Sequence, residues 1–333
     1  MRKYLLPEKG KFYKANLHLH SKISDGALTP EQWKEEYTKR GYSILAYTDH
    51  DTFVTHNDLT DENFLALNGY EIGMMDKERV RTFHICAIRL TNSEEMPACQ
   101  VDGTFVLEKQ NKPIPAGPIG VYNGKNLGYN GECVSRIFKD HVDAGFFTTY
   151  NHPEWSGEHY PEYISYHNMH AMEIVNYVSQ TAGYEEYNAQ IYDDMVLAGK
   201  RIYCTATDDA HSLGGAFGGF TMIKAEKLEY EAVTTALLNG HFYASQGPEI
   251  EEFYYEDGEF YIRTSPAKKI FARFLGAKVG QKAKGKVAAE GEALTELRVR
   301  AVEGALAVRF TVIDEKGNHA NTNAIFMDTL LQE

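Results

Sequence analysis

KANLHLHSKISDG, residues 14–26, carries two histidines, His18 and His20, at the end of a short alternating run, with Asp25 five residues beyond the second. Read as a strand over Lys14–Leu19, the run points both histidines to one side, because side chains alternate along a strand. The two imidazoles are then placed to hold one ion together. A helix start follows at once. Thr29 is an N-cap, Pro30 takes the first helical position, Gln32 completes a capping box, and Gly41 follows the last turn.

The same order recurs outward from this segment. Ser43–Thr48 (SILAYT) is a second apolar run, followed by DHD. GYEIG around Glu71 and RTFHICAIRL around His84 read as two further strands. Cys133–Asp143 reads as a helix ended by Gly145, and FFTTY at 146–150 as a strand followed by NHP. Then come a strand over His170–Tyr177, a helix over Tyr184–Ala198, and a strand over Ile202–Ala206 followed by TDDAH. Strand and helix in alternation imply an α/β fold built on a parallel sheet or a barrel.

Two regions depart from the pattern. Residues 91–130 are rich in Gly, Pro and Asn, as in PIPAGPIGVYNGKNLGYNG, and read as an insertion or as a lid over the substrate. From about Phe242 the helical pattern stops. FYYEDGEFYIRTS reads as a hairpin turning at Asp-Gly, and LRVRAV and LAVRFTVIDEKGNHA follow as alternating strands. The expected division is therefore residues 1–245 as the α/β part and 246–333 as a small all-β, sandwich-like domain, the latter dispensable for chemistry.

Composition narrows the function. The chain has 333 residues, 43% of them hydrophobic, and a formal net charge of −13. That balance argues against a groove for long duplex nucleic acid, which needs clustered Lys and Arg. The opening MRKYLLPEKGKFYK lacks the apolar stretch of a secretory signal, and no segment is long and apolar enough to span a membrane. Cys86, Cys99, Cys133 and Cys204 are scattered, without a CxxC pair, and read as reduced thiols. A cytoplasmic protein is expected; oligomeric state is left open.

Ionisable residues gather after or within the strands: His18, His20 and Asp25, then His50, Glu71, His84, His152, Asp209 and His211. In a parallel barrel the loops after the strands open onto one face, where active sites sit. One HxH is weak evidence of a metal, and an aspartate after a strand usually caps a helix. Recurrence at six places favours a shared site.

In this order HLHSKISDG, YTDHD, GYEIG, the histidine of RTFHICAI, NHP and DDAH resemble the motifs of the PHP (polymerase and histidinol phosphatase) family of metal-dependent phosphoesterases, over roughly residues 14–225. The resemblance implies a distorted seven-stranded β/α barrel and up to three divalent ions. One ion would take His18, His20, Glu71 and Asp209. A second would take Glu71, His84 and His152, with Glu71 bridging, and a third Asp25, His50 and His211. Some relatives have histidine where this chain has Asp25. Glu71, Asp209 and His211 are the residues on which catalysis is expected to rest. Imidazole and carboxylate without thiolate suit Zn, Mn or Fe. Clustered ions lower the pKa of a bound water and neutralise a phosphate, so the expected reaction is attack of hydroxide on a phosphoester. The expected substrate is a small phosphorylated metabolite, a nucleotide or a short oligonucleotide.

The sequence lacks GxSxG and Walker-type signatures, and LGGAFGG after His211 reads as a loop at the pocket rim. Lys22 and Arg81 are candidates to meet a phosphate, against a reading as solvated charges. Asp49, Asp51 and Asp208 adjoin ligands and either orient imidazoles or serve as turn and cap residues. Trp33 reads as packing. Trp155 is a candidate to flank a substrate ring, and His159 to line the pocket. The competing readings are a non-catalytic binding module with structural metals, and a hydrolase of a non-phosphate bond such as an amide.

Overall fold

The computed structural model describes residues 2–76, 81–94 and 130–331. Among the described residues ten strands run along the first part of the chain: β1 (Lys3–Tyr4), β2 (Lys11–Asn16), β3 (Ile44–Tyr47), β4 (Leu65–Asp76), β5 (Arg81–Arg89), β6 (Phe146–Tyr150), β7 (Ala171–Asn176), β8 (Tyr203–Thr207), β9 (Phe220–Ala225) and β10 (Phe242–Ser245). Strands β2 to β8 lie side by side in chain order. Within this row β2–β3–β4 and β6–β7–β8 are parallel, whereas β5 runs antiparallel to both neighbours. The parallel reading of the alternation thus fails at β5. Only residues 77–80 separate β4 from β5, too few for the crossover that a parallel pair requires.

The expected helix after the first strand spans Pro30–Thr38. Thr29 Oγ1 accepts from Gln32 N (3.3 Å) and Gln32 Oε1 accepts from Thr29 N (2.9 Å), a reciprocal cap. Trp33 and Tyr37 on this helix are fully buried. Among the described residues the next long helix is Gly131–Asp143, capped by Asn130. The expected helix over Tyr184–Ala198 is confined to Ala189–Leu197, because residues 184–188 run as an irregular segment bridged at Tyr187 to Val175 of β7. Among the described residues no helix is long and apolar enough to cross a membrane.

Past β8 the sheet folds back on itself. β9 pairs antiparallel with β2, and Thr221 of β9 reaches β8: its hydroxyl donates to Ala206 O (3.0 Å) and accepts from Ala206 N (3.3 Å). β10 pairs with β9.

Eight more strands follow: β11 (Ile250–Glu256), β12 (Glu259–Ala267), β13 (Lys269–Leu275), β14 (Ala283–Val287), β15 (Leu294–Arg300), β16 (Ala307–Ile313), β17 (His319–Thr322) and β18 (Ile325–Phe326). The β11–β12 hairpin turns at Asp257 and Gly258, both at positive φ (51° and 83°), as a two-residue Asp-Gly turn demands. These strands form two layers. β1, β11, β12 and β15 make a small sheet, while β13, β14, β16, β17 and β18 join the large one, where β17 pairs with β10. Phe253 and Phe260 of the small sheet meet Phe310 and Phe274 of the large one, with ring centroids 5.1 and 6.4 Å apart. Residues 246–333 therefore share both of their sheets with strands from before residue 245.

Candidate metal centre

His18 and His20 lie just past the end of β2, on an extended segment bridged at Leu19 to Ala210. Leu19 turns into the core and the two imidazoles turn the other way, with their Nε2 atoms 3.2 Å apart. The loop that brings Asp25 back towards them is tied by one buried carboxylate. Asp49 accepts from Ser21 N (2.7 Å), Ser21 Oγ (2.8 Å), Ser24 N (3.0 Å) and Ser24 Oγ (2.7 Å). Gly26 is required there, because a Cβ would sit 2.0 Å from His20 O.

Glu71 occupies the middle of β4 and His84 the middle of the antiparallel β5, with Gly73 opposite His84 in register. These two side chains come from mid-strand, and not from strand ends. Glu71 sits at the centre of the cluster. Its Oε1 is 3.2 Å from His18 Nε2, 3.1 Å from His84 Nδ1 and 3.2 Å from His152 Nε2. Its Oε2 is 3.3 Å from His20 Nε2 and 3.0 Å from His50 Nδ1. Asp209 Oδ1 lies 3.2 Å from His18 Nε2 and 3.0 Å from His20 Nε2. Asp25, on the open side, is 3.7 Å from His50 Nε2 and 3.5 Å from His211 Nε2.

All nine residues expected from the sequence thus stand in one cleft. Three groups have donor atoms close enough to share an ion: His18, His20, Glu71 and Asp209; His20, Asp25, His50 and His211; and His50, Glu71 and His84. His152 stands beside the last group, with its Nε2 3.3 Å from His84 Nδ1. Two of the nine have left-handed backbones, His152 at φ 24° and Asp209 at φ 54°. Non-glycine residues adopt that region at a cost, and such strain concentrates at functional sites.

A cation fits this donor set. Glu71 Oε2, Asp209 Oδ1 and His20 Nδ1 are buried with no hydrogen-bond partner, although imidazole nitrogens stand close to both carboxylate oxygens. Buried polar atoms are rarely left so, and a bound ion is one physical reason for such atoms. The donors are nitrogen and oxygen. Cys86 belongs to none of the three groups, and burial pushes its thiol up to about 11.

The electrostatics agree. Burial opposes charge on His20, yet Asp209 and Glu71 hold it up at about 10, and Glu71 holds His152 up at about 9 against the same burial. Burial and the neighbouring His20 depress His50 to about 3. Burial alone would raise Glu71 and Asp209, but the surrounding imidazoles keep both well below the usual carboxylate range. A cation would replace the protons on His20 and His152.

The remaining sequence candidates divide. Asp208 does not orient an imidazole. It accepts from Tyr37 Oη (2.8 Å) and from the amides of Phe217, Gly218 and Gly219 (2.9, 2.9 and 2.8 Å). These bonds spend the amides of the LGGAFGG loop on the protein itself, and burial pushes Asp208 up to about 6. Asp51 accepts from Gly73 N (3.1 Å). Trp33 is packed and donates from Nε1 to His20 O (2.9 Å). Trp155 stands at the cleft, its ring centroid 5.4 Å from that of His84 and 4.7 Å from that of His152. His159 is exposed ahead of a short helix, Tyr160–Tyr163. Lys22 is exposed in the Asp25 loop. The Arg81 side chain, Cys99 and the insertion at 95–129 lie outside the described residues.

Three polar residues escape sequence reasoning. Glu173, within the buried run AMEIVN of β7, stands 2.7 Å from His18 Nδ1. Asn151 Nδ2 donates to Glu71 Oε1 (2.8 Å), and Asn176 Nδ2 donates to Asp209 Oδ2 (3.2 Å). A carboxylate in an otherwise apolar buried strand was the available signal, since such a group is rarely buried unless it is paired.

No family model matches the chain. Over 140 residues it is 36% identical to the phosphoribosyl 1,2-cyclic phosphate 1,2-diphosphodiesterase of Eggerthella lenta, a match covering 39% of this chain and 52% of that protein. The chain thus spans about half the length of this curated relative. Among solved structures it is similar to a two-domain protein from Bacteroides vulgatus containing a predicted PHP-like metal-dependent phosphoesterase (16% identity, 97% of this chain and 98% of that one, TM-score 0.47). It is also similar to an amidohydrolase from Chromobacterium violaceum (16% identity, 60% and 88%, TM-score 0.38). Over the matched residues the chain is thus similar to a phosphodiesterase, and the residues gathered in the cluster are those that the resemblance of its motifs to the PHP family implies.

Proposed function

We propose that this chain hydrolyses a phosphoester of a small phosphorylated molecule, a metabolite or nucleotide, with the nine clustered residues holding up to three divalent ions. The observation that carries this reading is the buried Glu71 carboxylate facing five imidazoles, with orphaned acceptors on it and on Asp209. Bound ions supply a water of lowered pKa and neutralise phosphate charge. The chain does the rest. Glu71 and Asp209 concentrate negative charge where the ions belong, and the six imidazoles supply neutral nitrogen donors once deprotonated. Asp25 and His211, the more exposed ligands, border the opening through which substrate enters. Trp155, exposed beside His84 and His152, is the candidate to flank a substrate ring. The nitrogen-rich donors favour Zn, Mn or Fe over Mg, which prefers oxygen and keeps its waters.

The return of β9 towards β8 through Thr221 supports a distorted barrel around the site. The facing layers of β11–β18 support a sandwich-like unit fused to it. The relative's activity on a cyclic phosphate makes a diester a natural first substrate to try.

The test is a chelated and dialysed preparation assayed on p-nitrophenyl phosphate and bis-p-nitrophenyl phosphate. Activity should vanish and return with Mn, Zn or Fe. Full turnover of a protein shown by elemental analysis to be metal-free would reject the reading.

A further inference from the structure

Glu173 belongs to none of the three groups whose donor atoms could share an ion, yet it is fully buried and has four donors on its two oxygens. Oε1 accepts from His18 Nδ1 (2.7 Å) and from the Thr207 hydroxyl (2.6 Å). Oε2 accepts from the backbone N of His152 (2.9 Å) and from Asn176 Nδ2 (2.9 Å). With four donors in place the carboxylate has little capacity left to bind a metal or carry a proton. Its contacts fall on ligands of different ions. His18 belongs to the group with Asp209, and His152 stands beside the group with His84. The second Asn176 bond, to Asp209 Oδ2, extends the same network to a third ligand.

We infer that Glu173 is a positioning residue that aligns the ligands of two ions at once, an inference resting on the metal-binding reading above. It does so in two ways. Accepting the Nδ1 proton of His18 fixes that imidazole with its Nε2 lone pair towards Glu71 and Asp209, and makes it a stronger donor. Accepting the His152 amide holds this residue at its strained φ of 24°, the conformation that brings its Nε2 to Glu71. The group of Asp25, His50 and His211 makes no contact with Glu173 in the bonds described.

The experiment compares wild type, Glu173→Gln and Thr207→Val, each stripped of metal and titrated with Zn²⁺ or Mn²⁺ against a competing chelator, with bound ions counted by elemental analysis. Glu173→Gln should weaken the ions held by His18 and His152 about 10–100-fold, while the ion at Asp25, His50 and His211 keeps its affinity. A general loss of structure would weaken all of them alike. Thr207→Val removes one donor at nearly constant shape and should act in the same direction, but less. It also decides the matter if Glu173→Gln fails to fold. Folded variants with unchanged affinities overturn the role of Glu173 while leaving the metal reading intact. A wild type that takes up no divalent ion removes both.

Discussion

Glu71 Oε1 has three imidazole nitrogens within 3.2 Å, and Oε2 has two within 3.3 Å. Replacing it with glutamine keeps the shape but removes the charge that two ions would share. Glu71→Gln should lower phosphoesterase activity by several orders of magnitude and reduce metal content, with the circular dichroism of the fold retained. A near-wild-type rate at unchanged metal content would refute the bridging role. His141 gives a prediction away from the site. It is fully buried on Gly131–Asp143, its Nδ1 bonded to Ile137 O (2.7 Å) and its Nε2 to Tyr70 Oη (2.6 Å). Burial depresses it to about 4, below the ordinary 6.5. The fold therefore favours the neutral ring. The stability this confers is fully present above pH 6.5 and is lost as pH falls towards 4, by about 3 kcal/mol in all. Urea unfolding of metal-loaded protein between pH 7.5 and 4.5 should show this slope, and His141→Gln should flatten it.

The loop Ser21–Gly26 is a single mechanical element held by Asp49. Removing that carboxylate strands two amides and two hydroxyls and frees the arm that carries Asp25. Asp49→Ala should cost about 2 kcal/mol in unfolding free energy and lose the ion at Asp25, His50 and His211 first. Loss of the deeper ions before that one would show that the loop does not govern the outer site. Elements such as the Thr29 cap and the Asp257–Gly258 hairpin were legible in the sequence because their signals are local: a side chain bonding its own backbone, a turn needing positive φ. The clustered ionisable residues were legible because such residues recur beside successive strands. Strand direction was not, since β4 and β5 look alike whichever way they pair. Glu173 was not, because one carboxylate in AMEIVN reads equally as the outward residue of a strand. The irregular segment at 184–188 was hidden because its purpose lies elsewhere. There Glu186 accepts from the amides of Glu154 and Trp155 (3.1 and 2.9 Å), bonds invisible from its own neighbours.

Across the whole molecule, the two parts are joined by more than a linker. Arg309 of β16, 1% exposed, clasps Asp193 of helix Ala189–Leu197 with Nε–Oδ1 at 2.6 Å and Nη2–Oδ2 at 3.0 Å. Arg273 of β13 adds a contact to Oδ2 at 3.1 Å. Asn323 accepts from Cys204 N (2.9 Å) and donates to Gly240 O and Phe242 O (both 3.0 Å). Arg309→Met leaves Asp193 buried with only the half-exposed Arg273 and should cost about 3 kcal/mol, read from the denaturation midpoint. The rate per folded molecule should be unchanged, because all nine candidate ligands lie before residue 212. A fall in that rate without a fall in stability would show that the C-terminal strands act on the chemistry directly.

The pairing of β1 with β11, Lys3 opposite Tyr255, has a consequence for how the molecule is made. The earliest strand leaves the ribosome long before its neighbour exists, and β10 must likewise wait for β17. A nascent chain that already contains every candidate ligand and β10 still has β1 without its partner and one edge of β10 open, the kind of surface that invites wrong pairings and the attention of chaperones. Pairing of both strands therefore waits on sequence far beyond the candidate ligands, and secure retention of ions is expected only once β17 has been made.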